Sequence, residues 1–121
     1  MEKLLMKNFF DYPEAITQPG NPELIENMLH GPGMCRVERI VSWGHTTPEG
    51  EWYDQELDEW VLVLEGAAVL ECEGRGETRL RRGDSIFLPR HLRHRVQGTS
   101  HPCIWLTIHG EMSMPPRDGG N

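Results

Sequence analysis

The sequence predicts an all-β domain: one antiparallel sandwich or barrel, entered through a short helical or irregular N-terminal arm. Three observations predict it. From Arg36 onward, apolar runs of strand length recur at near-regular spacing. Glycine-containing turns stand between those runs. Helical periodicity is missing from the same region. The 121 residues suit one domain with one core. The 13 Gly and 9 Pro suit many short strands joined by tight turns.

Residues 1–35 read as an arm, not a separate domain. Pro13, Pro19, Pro22 and Pro32 punctuate it, with Gly20, Gly31 and Gly33. Within it, the stretch 21–29 predicts one short helix. Asn21 is the N-cap, Pro22 the first helical residue, and Glu23 an acid in the first turn. Leu24, Ile25, Met28 and Leu29 form its apolar face. The arm is expected to cover one end of the barrel or dock on a second subunit.

Residues 36–112 are expected to form the barrel. Val37, Ile40 and Val41 mark its first strand, and residues 60–64 are a continuous apolar run. Gly66 ends that run, and 67–73 form the next strand. Gly74-Arg75-Gly76 is a hairpin turn, from which 77–80 return. Arg82-Gly83-Asp84 turns the chain again into 85–88. Pro89 stops that strand because it has no N–H to give to a ladder. Val96 lies in the next strand, and 103–109 form the last long one. Residues 113–121 are expected to be a flexible tail.

The formal charge of -7 argues against nucleic acid, whose phosphates would be repelled. No stretch reaches the roughly 20 apolar residues of a membrane span, and residues 1–7 lack the apolar run of a signal peptide. Cys35, Cys72 and Cys103 are odd in number and widely spaced. They suggest neither a zinc knuckle nor a disulfide scaffold, but reduced thiols in a cytoplasmic protein.

The chemistry concentrates in two segments. One is Glu59-Trp60-Val61-Leu62-Val63-Leu64-Glu65-Gly66, an apolar strand opened by an acid and closed by Gly. The other runs from Gly83 through Pro89 to His94. Together they resemble the paired motifs of the cupin superfamily, over roughly residues 44–96. Gly83, Pro89 and His94 match the second motif, with His91 where a second Gly is usual. Glu59 and Gly66 match the end of the first motif. Two His normally precede that Glu; here the positions hold Tyr53 and Gln55, or Trp52 and Asp54 at the alternative spacing. The resemblance implies a jelly-roll barrel (a double-stranded β-helix) and often a homodimer that exchanges edge strands. It also implies a metal held by Glu59 and His94.

Residues two apart on a strand share a face, so an unbroken strand would aim Tyr53, Gln55 and Glu59 inward. Gln55, Glu59 and His94 are then the candidate metal ligands, for Fe, Mn, Ni or Zn; Tyr53 and His94 are the candidate catalytic groups. An oxygen-rich set of this kind suits Fe, Mn or Ni better than a structural zinc. His45, His91 and His109 are the histidines left to replace the absent pair. Each residue also has a structural reading. Glu59 would be a surface carboxylate, His94 a solvated edge residue, and Tyr53 and Gln55 polar core groups bonded to each other. Trp52, Trp60 and Trp105 either line a pocket or fill the core. Arg79, Arg81 and Arg82 form a solvated face or draw an anionic substrate to the barrel mouth.

Three functions are consistent with these residues. The first is a metal-dependent enzyme on a small polar molecule, of oxygenase or isomerase type, with the metal as a Lewis acid or oxygen-activating centre. The second is a non-catalytic small-molecule-binding module. The third is a metal-free sugar epimerase or isomerase in which His94 and Tyr53 or Glu59 transfer the proton.

Overall fold

The computed structural model describes Leu4 and residues 6–116. Eight strands follow one another: β1 (Leu24–His30), β2 (Arg36–Ser42), β3 (Asp58–Glu65), β4 (Ala67–Cys72), β5 (Gly76–Arg81), β6 (Ser85–Leu88), β7 (His94–Thr99) and β8 (Cys103–Gly110). They form two antiparallel sheets. The larger has the order β1-β2-β8-β3-β6 and the smaller β5-β4-β7. This is the expected all-β double-layer barrel, and among the described residues its only helical pieces are 3-10 turns at Glu14–Thr17 and Pro32–Met34.

One element differs from expectation. The segment predicted as a helix over 21–29 is strand β1, paired with β2 through Leu24↔Val41, Ile25↔Ile40 and Glu26↔Arg39. Apolar residues at 24, 25, 28 and 29 fit either period, and the unpaired edge of β2 offers a ladder that an isolated nine-residue helix cannot match. The register shifts between Asn27 and Leu29, so Met28 sits in a bulge.

The rest of the arm does not cap the barrel end. It lies on the outer face of the larger sheet, where Ile16 is buried with Val41 and Ile104. Arg39 fastens it: its guanidinium donates to the carbonyls of Asn8 (3.3 Å), Phe9 (3.2 Å) and Asp11 (2.6 Å), and to Glu26 Oε1 at 2.7 Å. A buried cation with four acceptors is compensated, so the arm is held by directional bonds as well as by apolar contact. Of the tail expected at 113–121, residues 117–121 lie outside the described residues.

Between the sheets, alternation sends Val61, Val63, Ala68, Leu70, Cys72, Leu80, Leu88, Cys103 and Trp105 inward to one core. Gly66 carries the chain from the larger sheet into the smaller. Its φ is +83°, and a Cβ there would meet the Pro102 carbonyl at 2.2 Å, so only Gly fits this crossing. The Gly74–Gly76 hairpin turn and the Pro89 strand stop stand where the sequence puts them.

Candidate functional site

At one end of the barrel the core gives way to a cavity of about 240 Å³. Its floor is apolar: Ile40, Val61, Leu70, Leu88, Val96 and Trp105. Its polar wall is Glu23, Arg36, Glu38, Tyr53, Gln55, Glu59, His94, Thr107 and His109. An apolar floor with convergent polar groups is the common form of a small-molecule site.

Pairing of strands builds the polar wall. On β2, Arg36, Glu38 and Ile40 share the inward face. On β8, Thr107 and His109 share it, and the register sets His109 beside Glu59 of β3. His94 opens β7 and bridges Tyr53 by backbone bonds of 2.7 and 3.1 Å. The result is a continuous row. Arg36 Nε donates to Glu38 Oε2 at 3.0 Å. Glu38 Oε1 lies 3.2 Å from His109 Nε2, Glu59 Oε2 lies 3.5 Å from the same nitrogen, and Glu59 Oε1 lies 3.6 Å from His94 Nε2. The Tyr53 ring stacks on His94 with centroids 5.5 Å apart.

Burial decides the electrostatics. Glu59 is 7% exposed, and loss of water pushes its carboxyl above the usual range, against the pull of His109 and His94. Glu38 is held down to about 2, chiefly by its hydrogen bond to His109. The Tyr53 phenol is pushed up by burial and then by the carboxylates of Glu23, Glu59 and Glu51, which keeps it a proton donor. His94 Nδ1 lies 3.0 Å from the Leu92 carbonyl. A carbonyl only accepts, so this nitrogen carries a hydrogen and Nε2 is the one turned to Glu59.

Tyr53, Gln55, Glu59 and His94 therefore meet, as expected, though along a different path. β3 begins only at Asp58, and Tyr53 belongs to an isolated bridge, so no unbroken strand joins the three. Glu59 and His94 are buried, not surface groups. Tyr53 and Gln55 are not bonded to each other through their side chains; Gln55 Oε1 is buried without a partner among the described residues. Of the three spare histidines, only His109 enters the cavity. His45 is used by the fold, accepting from Trp43 N at 2.8 Å and lying 2.7 Å from the Asn21 carbonyl. His91 turns outward to Asp54 at 2.8 Å. Arg79 and Arg81 line a separate groove with Ala67 and Val69 and do not line the cavity. Trp105 both fills core and lines the cavity, while Trp52 lies under Arg93 and Arg95.

Sequence reasoning missed Glu23, Arg36, Glu38 and Thr107. Glu23 was assigned to a helix; it leads into β1, where the Ser42 hydroxyl donates to it, and it lines the cavity. The signal for Glu38 was the alternation Arg36, Glu38, Ile40 against Val37, Arg39, Val41. It does not say which face is inward.

The donor set bears on a metal. Among the described residues, no group of three His, Cys, Asp or Glu side chains is set to hold a metal ion. His109 Nε2 is shared by two carboxylates and a threonine hydroxyl, and Gln55 contributes one neutral oxygen. As arranged, the row is a set of imidazole–carboxylate pairs and not a ligand shell.

Comparison with known proteins places this geometry. The family model described as cupin domain matches residues 42–109. No curated protein matches the chain. Among solved structures, one provisionally named mannose-6-phosphate isomerase, from Ralstonia eutropha JMP134, is 36% identical; the match covers 90% of this chain and 100% of that one, with TM-score 0.79. A sugar phosphate isomerase of the cupin superfamily from Silicibacter pomeroyi DSS-3 is 27% identical over 64% of this chain and 51% of that one, with TM-score 0.51. An RmlC-like cupin with a double-stranded β-helix fold, from Methanocaldococcus jannaschii, is 12% identical over 84% and 87%, with TM-score 0.65, and shares the fold. No helix of the described residues is long and apolar enough to cross a membrane.

Proposed function

This chain belongs to the cupin domain family, and from that premise we propose that it moves a proton on a small hydroxycarbonyl compound, in isomerase or epimerase chemistry. One observation carries the reading: the buried Glu59 carboxyl stands between His94 Nε2 and His109 Nε2 in a cavity that also holds the Tyr53 ring. The names of the two isomerase relatives support the reaction class.

The chemistry follows from the positions. His94 Nε2, its other nitrogen fixed by the Leu92 carbonyl, takes a proton from the carbon beside the substrate carbonyl. Glu59 steadies that proton and is the place from which it returns. Tyr53 donates toward the oxygen on which charge develops. His109, anchored by Glu38, holds the far oxygen of Glu59. No step passes through a metal. Elemental analysis of protein purified without an affinity tag tests that part: about one equivalent of Fe, Mn, Ni or Zn per chain would return Gln55, Glu59 and His94 to the role of ligands.

The main test is proton exchange. Hydroxyaldehydes and hydroxyketones are incubated with the protein in deuterated water and followed by NMR. Deuterium at the carbon beside the carbonyl, lost in His94→Asn, is the expected result. Exchange that persists unchanged in His94→Asn would sink the assignment. Ile25, Leu29 and Met34 are more than half exposed on or beside edge strand β1, which supports a homodimer. Three free cysteines support a reducing, cytoplasmic setting.

A further inference from the structure

The structure assigns this cavity a charge preference: we infer that it takes an uncharged hydroxylated compound and rejects phosphorylated and other anionic ones. The inference rests on the cavity being the substrate site, as proposed above, and goes beyond it by naming the substrate class. It also runs against the phosphate in the names of the two isomerase relatives.

Three carboxylates line the cavity: Glu23, Glu38 and Glu59. Arg36 is the one lining side chain with a fixed positive charge, and its guanidinium is already committed to Glu38 at 3.0 Å. Both imidazoles face Glu59, at 3.5 and 3.6 Å. Glu23 makes no ion pair among the described residues; its contact is the Ser42 hydroxyl, itself held by the indole N–H of Trp105 at 3.0 Å. A hydroxyl donor leaves the carboxylate its charge, so Glu23 stands in the wall as an unopposed anion.

A phosphate ester needs the reverse. Such groups are held by free Arg or Lys, by a helix N-terminus, or by a nest of backbone N–H groups. Most of the lining residues lie on strands, and neither 3-10 turn contributes one. The basic pair Arg79 and Arg81 sits in the separate groove. A dianion beside Glu23 would meet repulsion that is strong in a partly desolvated site. A hydroxyl does the opposite, since carboxylates and unpartnered acceptors such as Gln55 Oε1 call for donors. Size agrees. The cavity, about 240 Å³, is smaller than the roughly 300–1,000 Å³ usual for drug-sized ligands. The apolar floor takes the carbon skeleton.

The test uses matched pairs: mannose with mannose 6-phosphate, and dihydroxyacetone with its phosphate. Binding to the full chain is measured by calorimetry and by ligand-detected NMR, at fixed ionic strength. The expected result is that at least one neutral member binds and its phosphate binds at least about tenfold more weakly, the size of one modest like-charge contact. Glu23→Gln should narrow that gap severalfold. Glu77→Gln, which likewise removes one negative charge but from an exposed site on β5, should leave it unchanged. A phosphate that binds as well as its neutral partner overturns the inference, and so does binding by neither member of any pair. Neutral binding without deuterium exchange would sink the proton-transfer reading while the charge preference stands, so the two failures are distinguishable.

Discussion

The two ends of the barrel interior obey one rule and give opposite results. At the closed end, inward positions hold Val63, Ala68, Leu80 and Cys103, all nearly inaccessible. At the open end, the same alternation turns Glu38, Glu59, His94, Thr107 and His109 inward. Apolar contact needs only volume and shape, so the closed end is satisfied by packing. Buried charge needs partners in fixed directions, and the open end is satisfied only in part: His109 Nδ1 and Gln55 Oε1 have none among the described residues. A fold retains groups that cost stability where they perform chemistry. The difference separates what holds this molecule together from what the proposed function uses.

Glu59→Gln should break the comparison most sharply. The proton-exchange rate should fall by about 10²–10⁴-fold, the usual worth of a positioned acid or base. Stability should not fall with it. The folded state binds the Glu59 proton more tightly than the unfolded state does, because burial raises its pKa. The stability it contributes is therefore full below the ordinary value of 4.5 and is lost as pH rises through the folded value. Gln carries no such loss. Urea unfolding at pH 7 should give a midpoint equal to or above that of the parent; a large drop would mean that Glu59 is structural.

Leu80→Ala is the counterpart at the closed end. Leu80 is 3% exposed within the main cluster and does not line the cavity, so the substitution should cost about 2–5 kcal/mol by urea titration. The exchange rate per folded molecule should stay near that of the parent. Equal losses of stability and rate would show the two ends to be one unit.

Glu38→Gln sharpens the contrast within the open end. Glu38 is depressed to about 2, so its contribution is present above 4.5 and disappears as pH falls from there toward 2. Its pH slope is opposite in sign to that of Glu59, one residue away across the His109 ring. Replacing it should cost about 1–3 kcal/mol at pH 7 and flatten acid unfolding between pH 4.5 and 2. A parent curve already flat in that window would mean that Glu38 and His109 are not paired in solution.

How much of this was legible beforehand follows the same division. Gly66, the Gly74–Gly76 turn, Pro89 and the apolar runs mark the barrel because each acts locally, through backbone conformation or period. Glu59 and His94 were legible because their motif positions are tied to those turns. Glu38 and His109 were harder. Their meeting depends on β2 and β8 lying side by side, a pairing between residues 36–42 and 103–109 that no local signal announces. The arm misled for a related reason. Its apolar residues fit a helix as well as a strand, and the edge of β2 decided between them.

His91 gives the smallest effect and the cleanest control. It stands three residues before His94 in the same motif, yet it faces solvent and meets Asp54 at 2.8 Å and Glu56 at 3.7 Å. The hydrogen bond to Asp54 is the main cause that raises its pKa above 6.5, with help from Glu56. That contribution to stability is full below 6.5 and is lost as pH rises through the folded value. NMR titration should give a His91 midpoint above 6.5, returning toward it in Asp54→Asn. The exchange rate in His91→Asn should match the parent at every pH, since the ring touches no group of the cavity. If the rate instead followed the His91 midpoint, the outward histidine would be coupled to the site through the backbone bond from His91 N to the Gln55 carbonyl. The boundary drawn here between site and scaffold would then have to move outward by one residue shell.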